Sequence, residues 1–412
     1  MIQIFPPTKG NIETTVELPG SKSISNRLMM IRAISGLSIH FKNLSDSEDS
    51  ILIAKALGQI QNKTSGTLNI HHAGTDMRFL TAYLSTREGE WIITGSERMK
   101  QRPIAELVNA LKQLGADISY LEKEGFPPLK IKGKKLSGGK VEIDASISSQ
   151  FISALLLVAP KFQKGLDLVL KGNMVSAPYV NMTISLLKEF GIYISFTGNS
   201  IVVSPSAFTI FTPQFLVESD WSAASYWYGM VALSENAKIE LKFLDKISLQ
   251  ADRILPGIYN SLGVNTEFIE KGVRLTKKKI TDTEFRYDFT DCPDIAQTVA
   301  VTCFGLGIKA NLTGLQTLKI KETDRIAALK TEFEKLGAKV DATDNSIVIA
   351  PGPLNAKLQT SNILTYNDHR MAMSFVPLAF KFPGIGIEHP EVVEKSYPAF
   401  WDDMEEAGFD LK

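Results

Sequence analysis

Cysteine is nearly absent from this chain: of 412 residues only Cys292 and Cys303 are thiols. Two are too few for a disulfide framework, and their spacing fits neither a CxxC redox motif nor a zinc-ligand pattern. A reducing compartment, the cytoplasm, is the expectation. The chain also lacks an excess of either charge, with 45 Lys and Arg against 45 Asp and Glu, which removes the basic surplus that binding to nucleic acid or a membrane surface requires. Any anion site must be a local gathering of charge. Long apolar runs are missing as well. The longest, Phe151 to Ala159, is broken by Ser153 and falls far short of the roughly 20 residues that span a bilayer. The segment from Met1 to Pro7 has neither the charged and apolar regions of a secretion signal nor the Arg- and Ser-rich look of a transit peptide. The five histidines show no HExxH or comparable spacing, so no metal is expected. GxxxxGK[ST] and GxSxG do not occur, and Gly305-Leu306-Gly307 is a fragment of a dinucleotide fingerprint after a helix-like stretch, the wrong context.

What the chain does have is apolar material, 44 % of residues, and a length that points to two domains. It also has a repeat. Six times an amphipathic stretch ends on Gly and gives way to an alternating, strand-like stretch: at Gly58, Gly115, Gly191, Gly263, Gly337 and Gly408, with successive spacings of 57 to 76 residues. Glycine accepts the left-handed conformation that ends a helix without a Cβ penalty, so each is read as a helix stop. The stretch after the stop reads as a hairpin, clearest at Ile192 to Val203 and at Ala338 to Ala350. Each period has room for βαβαββ, and six units divide naturally into three per domain, with a crossover near Glu218-Ser219-Asp220. Lys277-Lys278-Lys279 is the one tight basic run and is read as a solvated strand end.

Several segments are polar turns carrying Lys or Arg that run into apolar helices: Leu18 to Arg27, Ala73 to Arg78, Ser148 to Phe151, Lys321 to Arg325, and Tyr366 to Arg370. Cations at the positive end of a helix cost stability unless an anion is bound there. Their recurrence across different repeats therefore indicates a shared surface for small, multiply charged anions. Arg102 precedes a proline expected at a helix start, Lys395 is expected to open the last helix, and Asp294 also begins a helix. An acid in such cationic surroundings stays ionised and can accept a proton. Cys292 is read as a small buried residue.

Together, Leu18-Pro19-Gly20-Ser21-Lys22-Ser23-Ile24-Ser25-Asn26-Arg27, Lys321-Glu322-Thr323-Asp324-Arg325 and Asn367-Asp368-His369-Arg370-Met371-Ala372-Met373 resemble the signature blocks of the 3-phosphoshikimate 1-carboxyvinyltransferase (EPSP synthase) family, over essentially the whole chain. The resemblance implies an α/β, two-domain enolpyruvyl-transferase fold of six βαβαββ repeats, three per domain. Residues 1–20 plus 219–412 would form one domain and 21–218 the other, with the active-site cleft between them. It implies transfer of the enolpyruvyl group of phosphoenolpyruvate to the 5-hydroxyl of 3-phosphoshikimate, with no metal or organic cofactor, by a monomer with no nucleic-acid or membrane partner.

By the same resemblance, 3-phosphoshikimate would be held by Lys22, Ser23, Arg27, Ser148, Ser149, Gln150, Ser176, Asp294 and Lys321, with Tyr179 nearby. Phosphoenolpyruvate would meet Lys22, Gly74, Arg102, Gln150, Arg325, Arg370 and Lys395. Asp294, assisted by Lys22, would accept the hydroxyl proton, and Glu322 would donate one to carbon. Two positions depart from the family pattern. His72 stands where the family usually has Asn before Ala-Gly-Thr, and Thr317 stands where some members supply an Asn four residues before Lys321. The alternatives are a UDP-N-acetylglucosamine enolpyruvyl transferase, which usually needs a reactive cysteine in the first half where residues 1–291 have none, and a non-catalytic anion-binding relative, against which Asp294 and Glu322 both speak.

Overall fold

The computed structural model describes residues 1–210, 214–280, 282–352 and 362–412. They divide into two units: Met1–Ser21, Ser45–Glu48 and Glu218–Lys412 in the first, Lys22–Leu44 and Asp49–Val217 in the second. Ser21 and Glu218 fall just outside the domain expected at 21–218, and one internal segment departs from it as well. Ser45–Glu48 groups with the first unit, where the Asp46 charge acts on Tyr397 and Asp403.

Among the described residues the strands form five four-stranded sheets and one two-stranded pair. The larger sheets share a plan: two parallel strands, the second of them flanked antiparallel by a hairpin. Parallel neighbours need a crossover, and a helix supplies it. Thus Ser65–Asn69 lies parallel to Gly89–Thr94 across the helix Gly74–Thr86, and the hairpin Asp117–Tyr120 and Leu129–Gly133 completes the sheet. Gly139–Asp144, Leu166–Lys171 and the hairpin Ile194–Thr197 and Ser200–Val203 repeat it. In the first unit Glu284–Asp288, Lys309–Thr313 and the hairpin Lys339–Ala342 and Ile347–Ala350 do the same. Distant segments close the remaining sheets. Asn11–Val16 is the parallel partner of Asn236–Lys242, and Ile2–Phe5 pairs with Ile385–Ile387 and Asp410–Leu411. His40–Lys42 pairs with Gln214–Leu216, so the start and end of the second unit's chain also meet in one sheet.

Five of the six expected glycine stops take φ between +76° and +107°. Gly58 does not. It lies inside the helix Glu48–Asn62, because the apolar face continues past it to the fully buried Ile60. The next strand, Ser65–Asn69, opens a new sheet rather than a hairpin. The basic run is also only partly solvated: Lys277 Nζ donates to the Ala232 carbonyl in the last turn of the helix Trp221–Leu233, and burial brings this ammonium down to about 8.

Each unit has helices that are apolar on nearly every side. Ser149–Val158 is buried from Phe151 onward, and Trp221–Leu233 buries Trp221, Tyr226, Trp227 and Tyr228. Such helices must be covered all round, which leaves their first turns as the places where polar chemistry collects. No helix among the described residues is long and apolar enough to cross a membrane.

Candidate active site

In the second unit side chains tie together the first two turns of four helices, Lys22–Ser35, Gly74–Thr86, Ser149–Val158 and Ala177–Glu189. Asn26 Nδ2 donates to Asp76 Oδ1 at 2.9 Å, and Gln150 Nε2 donates to Thr75 Oγ1 at 3.2 Å. Ser148 caps its helix, accepting the Gln150 N–H at 3.3 Å. Arg27 is buried, with its guanidinium over the Phe79 ring. It donates to Thr183 Oγ1 at 2.7 Å, to the Ser23 carbonyl at 2.8 Å, to the Tyr179 carbonyl at 3.2 Å and to Ser153 Oγ at 3.4 Å. Burial pulls this guanidinium down to about 10, which still leaves it charged at neutral pH. Ser176, at the N-cap of Ala177–Glu189, takes a left-handed φ of 53°.

Gly74 starts its helix, and a Cβ there would lie 2.5 Å from Arg102 Nη1. The glycine thus lets a guanidinium rest against the positive end of a helix, an arrangement that favours an anion between them. Arg78 braces the same corner, donating to the carbonyls of Gly74 at 3.1 Å and Pro103 at 3.0 Å. Pro103 is not the first helical residue, since the helix is Ala105–Gln113 and Arg102 ends the short 3₁₀ turn Met99–Gln101. Lys22 Nζ is 3.1 Å from Asp49 Oδ2. His72, the departure from the family pattern, is exposed and has Nδ1 2.8 Å from Ser96 Oγ.

The first unit builds a second cluster, again at helix starts. Asp294, in the turn Pro293–Ile295 before the helix Ala296–Gly305, has Oδ1 3.4 Å from both Lys321 Nζ and Arg325 Nη1 and Oδ2 3.2 Å from Arg370 Nη2. Arg370 Nη1 also donates to the Asp294 carbonyl at 2.8 Å. Arg325 is 1 % exposed. Its fork takes Asp368, with Nε to Oδ2 at 2.7 Å and Nη2 to Oδ1 at 3.2 Å, while Nη2 also donates to Glu322 Oε2 at 2.9 Å. Lys395 Nζ stands 3.6 Å from Glu322 Oε1. Lys395 closes the 3₁₀ stretch Pro390–Lys395 rather than opening the last helix, which is Phe400–Glu406.

Burial alone would raise the Asp294 carboxyl, but Arg370, Lys321 and Arg325 more than offset it and hold the group well below the usual carboxylate range. Burial lowers the Lys321 ammonium, and the Arg325 and Arg370 charges add to that against the pull of Asp294 and Glu322. Burial raises both thiols, Cys292 and Cys303, which removes thiolate chemistry from them.

Five residues in or beside these networks carry no role that the sequence pattern assigns, Ser222 and Asp252 among them because the Ser222 hydroxyl joins Arg370 Nη2, at 3.4 Å, to the Asp252 carboxyl. Asp368 has a local signal, an Asp just before a helix, and it accepts the Arg370 N–H at 2.9 Å as an N-cap. Arg78 lies in one of the Arg-bearing polar turns, whereas Asp49, Ser222 and Asp252 have no such signal. Burial raises Asp252 to about 7 and Asp403 to about 6, both above their ordinary 3.8. The folded protein therefore holds these protons more tightly than the unfolded chain. Their contribution to stability is whole below the unfolded value and is lost as pH rises through the folded ones. The thermal midpoint is expected to fall between pH ~4 and ~7 through these groups, and calorimetry of Asp252→Asn with Asp403→Asn should show a flatter profile.

The family model for EPSP synthase (3-phosphoshikimate 1-carboxyvinyltransferase) matches residues 36–404. A protein of Bacteroides fragilis (strain YCH46) named 3-phosphoshikimate 1-carboxyvinyltransferase is 48 % identical over 402 residues, covering 97 % of each chain. One of the same name from Haemophilus influenzae (strain Rd) is 36 % identical over 427 aligned positions and 96 % of each chain. Among solved structures, EPSP synthase from Acinetobacter baumannii superposes with a TM-score of 0.78 at 22 % identity, over 100 % of this chain and 99 % of that one.

Proposed function

The chain belongs to the EPSP synthase family, and from that premise we propose how its own residues divide the work. The reaction moves the enolpyruvyl group of phosphoenolpyruvate to the 5-hydroxyl of 3-phosphoshikimate, giving 5-enolpyruvylshikimate 3-phosphate and phosphate. This makes the chain a transferase of the shikimate route to aromatic amino acids. Transfer to UDP-N-acetylglucosamine is not favoured.

Both substrates carry a phosphate and a carboxylate, and we assign them jointly to the two clusters. Phosphoenolpyruvate takes Lys22, Gly74, Arg102 and Gln150 from one, and Arg325, Arg370 and Lys395 from the other. 3-Phosphoshikimate takes Lys22, Ser23, Ser148, Ser149, Gln150 and Ser176, with Asp294 and Lys321. Arg27 and Arg325 spend most of their N–H groups on the protein. Arg27 therefore aims Ser23 and Tyr179, and Arg325 fixes Glu322 and Asp294 while presenting its charge to the substrate.

Asp294 takes the proton of the 5-hydroxyl as that oxygen bonds to C2 of phosphoenolpyruvate, and Glu322, which enters the cycle protonated once bound anions offset the Arg325 and Lys395 charges, protonates C3. In the tetrahedral adduct the C2–O bond to phosphate then breaks. C3 returns its proton to the Glu322 carboxylate, and the leaving phosphate takes the one on Asp294. Atoms and charge balance without a cofactor. A carboxylate held as acidic as Asp294 is a poor base, and the substrates correct this: anions that draw off the charge of Arg370 and Lys321 leave Asp294 more basic. The cationic frame around Asp294 is the observation that carries this reading, since it both receives anions and tunes the proton acceptor.

The test is phosphate release on mixing the protein with both substrates, with each omitted in turn and UDP-N-acetylglucosamine substituted as acceptor. Release that needs both phosphoenolpyruvate and 3-phosphoshikimate supports the reading; release with the sugar nucleotide overturns it. Gly74→Ala tests the corner in the second unit. The new methyl displaces the Arg102 guanidinium, a movable group, so the fold should persist. The KM for phosphoenolpyruvate should rise about 10- to 100-fold, the worth of one charged hydrogen bond, with a smaller change in kcat. We further propose that the protein works as a monomer in the reducing cytoplasm, without nucleic acid. Light scattering that gives twice one chain's mass would contradict the first point.

A further inference from the structure

We propose that Asp252 is a positioning residue for this reaction, a buried acid whose proton sets how fully Arg370 is available to an anionic substrate. It lies in the first unit, in the 3₁₀ turn Ala251–Ile254, outside every signature block and every cation-bearing turn of the sequence. The side chain is buried. Oδ2 accepts the Ser222 hydroxyl, and Oδ1 has no hydrogen-bond partner among the described residues. Ser222 is itself fixed, its N–H donated to Asp220 Oδ1 at 2.7 Å, and its Oγ lies 3.4 Å from Arg370 Nη2 as an acceptor. That same nitrogen is 3.2 Å from Asp294 Oδ2. One guanidinium thus stands between the Asp294 carboxylate and, through a single hydroxyl, the Asp252 carboxyl.

Because Oδ2 is taken as an acceptor, the proton of the neutral acid sits on Oδ1. A buried carboxylate with one oxygen facing no donor is costly, and the neutral acid is less so. The charged and titratable groups around it are Asp294 and Asp220, which oppose ionisation, Arg370, which favours it, and the Cys292 thiol. Burial is the largest influence, and the balance brings the group to about 7, inside the range where a cytoplasmic enzyme works.

When Asp252 ionises, it polarises the Ser222 hydroxyl towards itself, draws on the Arg370 N–H and offsets part of the guanidinium charge. Arg370 then holds an incoming carboxylate or phosphate less well. Linkage requires the converse: an anion seated on Arg370 raises the proton affinity of Asp252, so binding takes up a proton near neutrality. This inference rests on the assignment of Arg370 to phosphoenolpyruvate, and the experiment separates the two.

Steady-state kcat and KM for phosphoenolpyruvate would be measured between pH ~6 and ~8, either side of the Asp252 midpoint, for the wild type, Asp252→Asn, Ser222→Ala and Arg370→Lys. The titration of the substrate is common to all four proteins, so differences between profiles isolate the residue. In the wild type KM should rise several-fold across this range beyond the substrate's own contribution, with kcat little affected. Asp252→Asn should flatten that rise. Ser222→Ala removes a hydrogen bond that favours the ionised acid, so it should move the rise to higher pH, and it keeps the test open if Asp252→Asn folds poorly. Parallel KM profiles for the wild type and both variants would overturn the inference. If Arg370→Lys leaves KM unchanged, the assignment of Arg370 itself fails; if it raises KM while the other profiles stay parallel, only the role of Asp252 fails.

Discussion

Asp294→Asn is expected to slow phosphate release by about 10²- to 10⁴-fold, the range for losing a general base, while phosphoenolpyruvate binds more tightly than to the wild type. The two halves of this result have one cause. In the proposed mechanism Asp294 accepts the proton, and in the structure it is also the internal anion that occupies Lys321, Arg325 and Arg370. Asparagine keeps the size of the side chain and leaves the backbone carbonyl that accepts from Arg370 Nη1, so the frame should stand. Removing the charge leaves Lys321 and Arg370 to be satisfied by substrate instead, while Arg325 keeps Asp368 and Glu322. Steady-state kinetics with an independent titration of phosphoenolpyruvate would check both. A purely structural acid would lose binding together with rate, and a variant with normal turnover would shift proton acceptance away from this residue.

Arg325→Met should destabilise the protein by about 3–5 kcal/mol, the cost of leaving a buried charge without its partner. Arg325 is the common neighbour of three carboxylates in a site where Asp368 is fully buried. Taking it away strands Asp368 and Glu322, and the methionine restores only the volume. Tryptophan fluorescence during denaturant unfolding is a suitable measurement, because Trp221, Trp227 and Trp401 lie in the first unit and only Trp91 in the second. Adding Asp368→Asn to Arg325→Met should recover part of the loss, since the penalty belongs to the uncompensated charge more than to the missing bond. A double variant less stable than the single one would contradict this, since asparagine still accepts the Arg370 N–H and keeps the cap of the helix His369–Phe375. Activity should be lost in both variants, because Glu322 loses the group that aims it.

Helix starts and stops are the most legible features of this chain, because the interactions that make them span two to four residues. Ser148, Asp220, Asp324 and Asp368 all cap the helices that begin after them, and five glycines end helices where the pattern places them. The departures have equally local causes. Gly58 fails as a stop because a buried Ile60 carries the helix past it. Arg102 and Lys395 stand one short element away from the helix starts that the pattern suggests, since 3₁₀ turns leave no periodic signal of their own. Lys277 reads as solvated in a basic run, yet its ammonium closes the end of a helix 45 positions earlier in the chain.

The amino-acid sequence by itself determined the family, the α/β class and which residue types gather at helix starts, since signature blocks and caps are written in consecutive positions. Tertiary structure alone decided which of those charges face one another. Lys22 meets Asp49 across 27 positions, Arg325 meets Asp368 across 43, and Arg370 meets the Asp294 carbonyl across 76. Arg27 reaches Thr183 across 156. Charges so far apart along the chain become neighbours only when apolar helices pack and bring their first turns together. Their acidity follows from that packing, because burial and the nearest opposite charge, neither visible in a string of letters, are what move a proton's affinity.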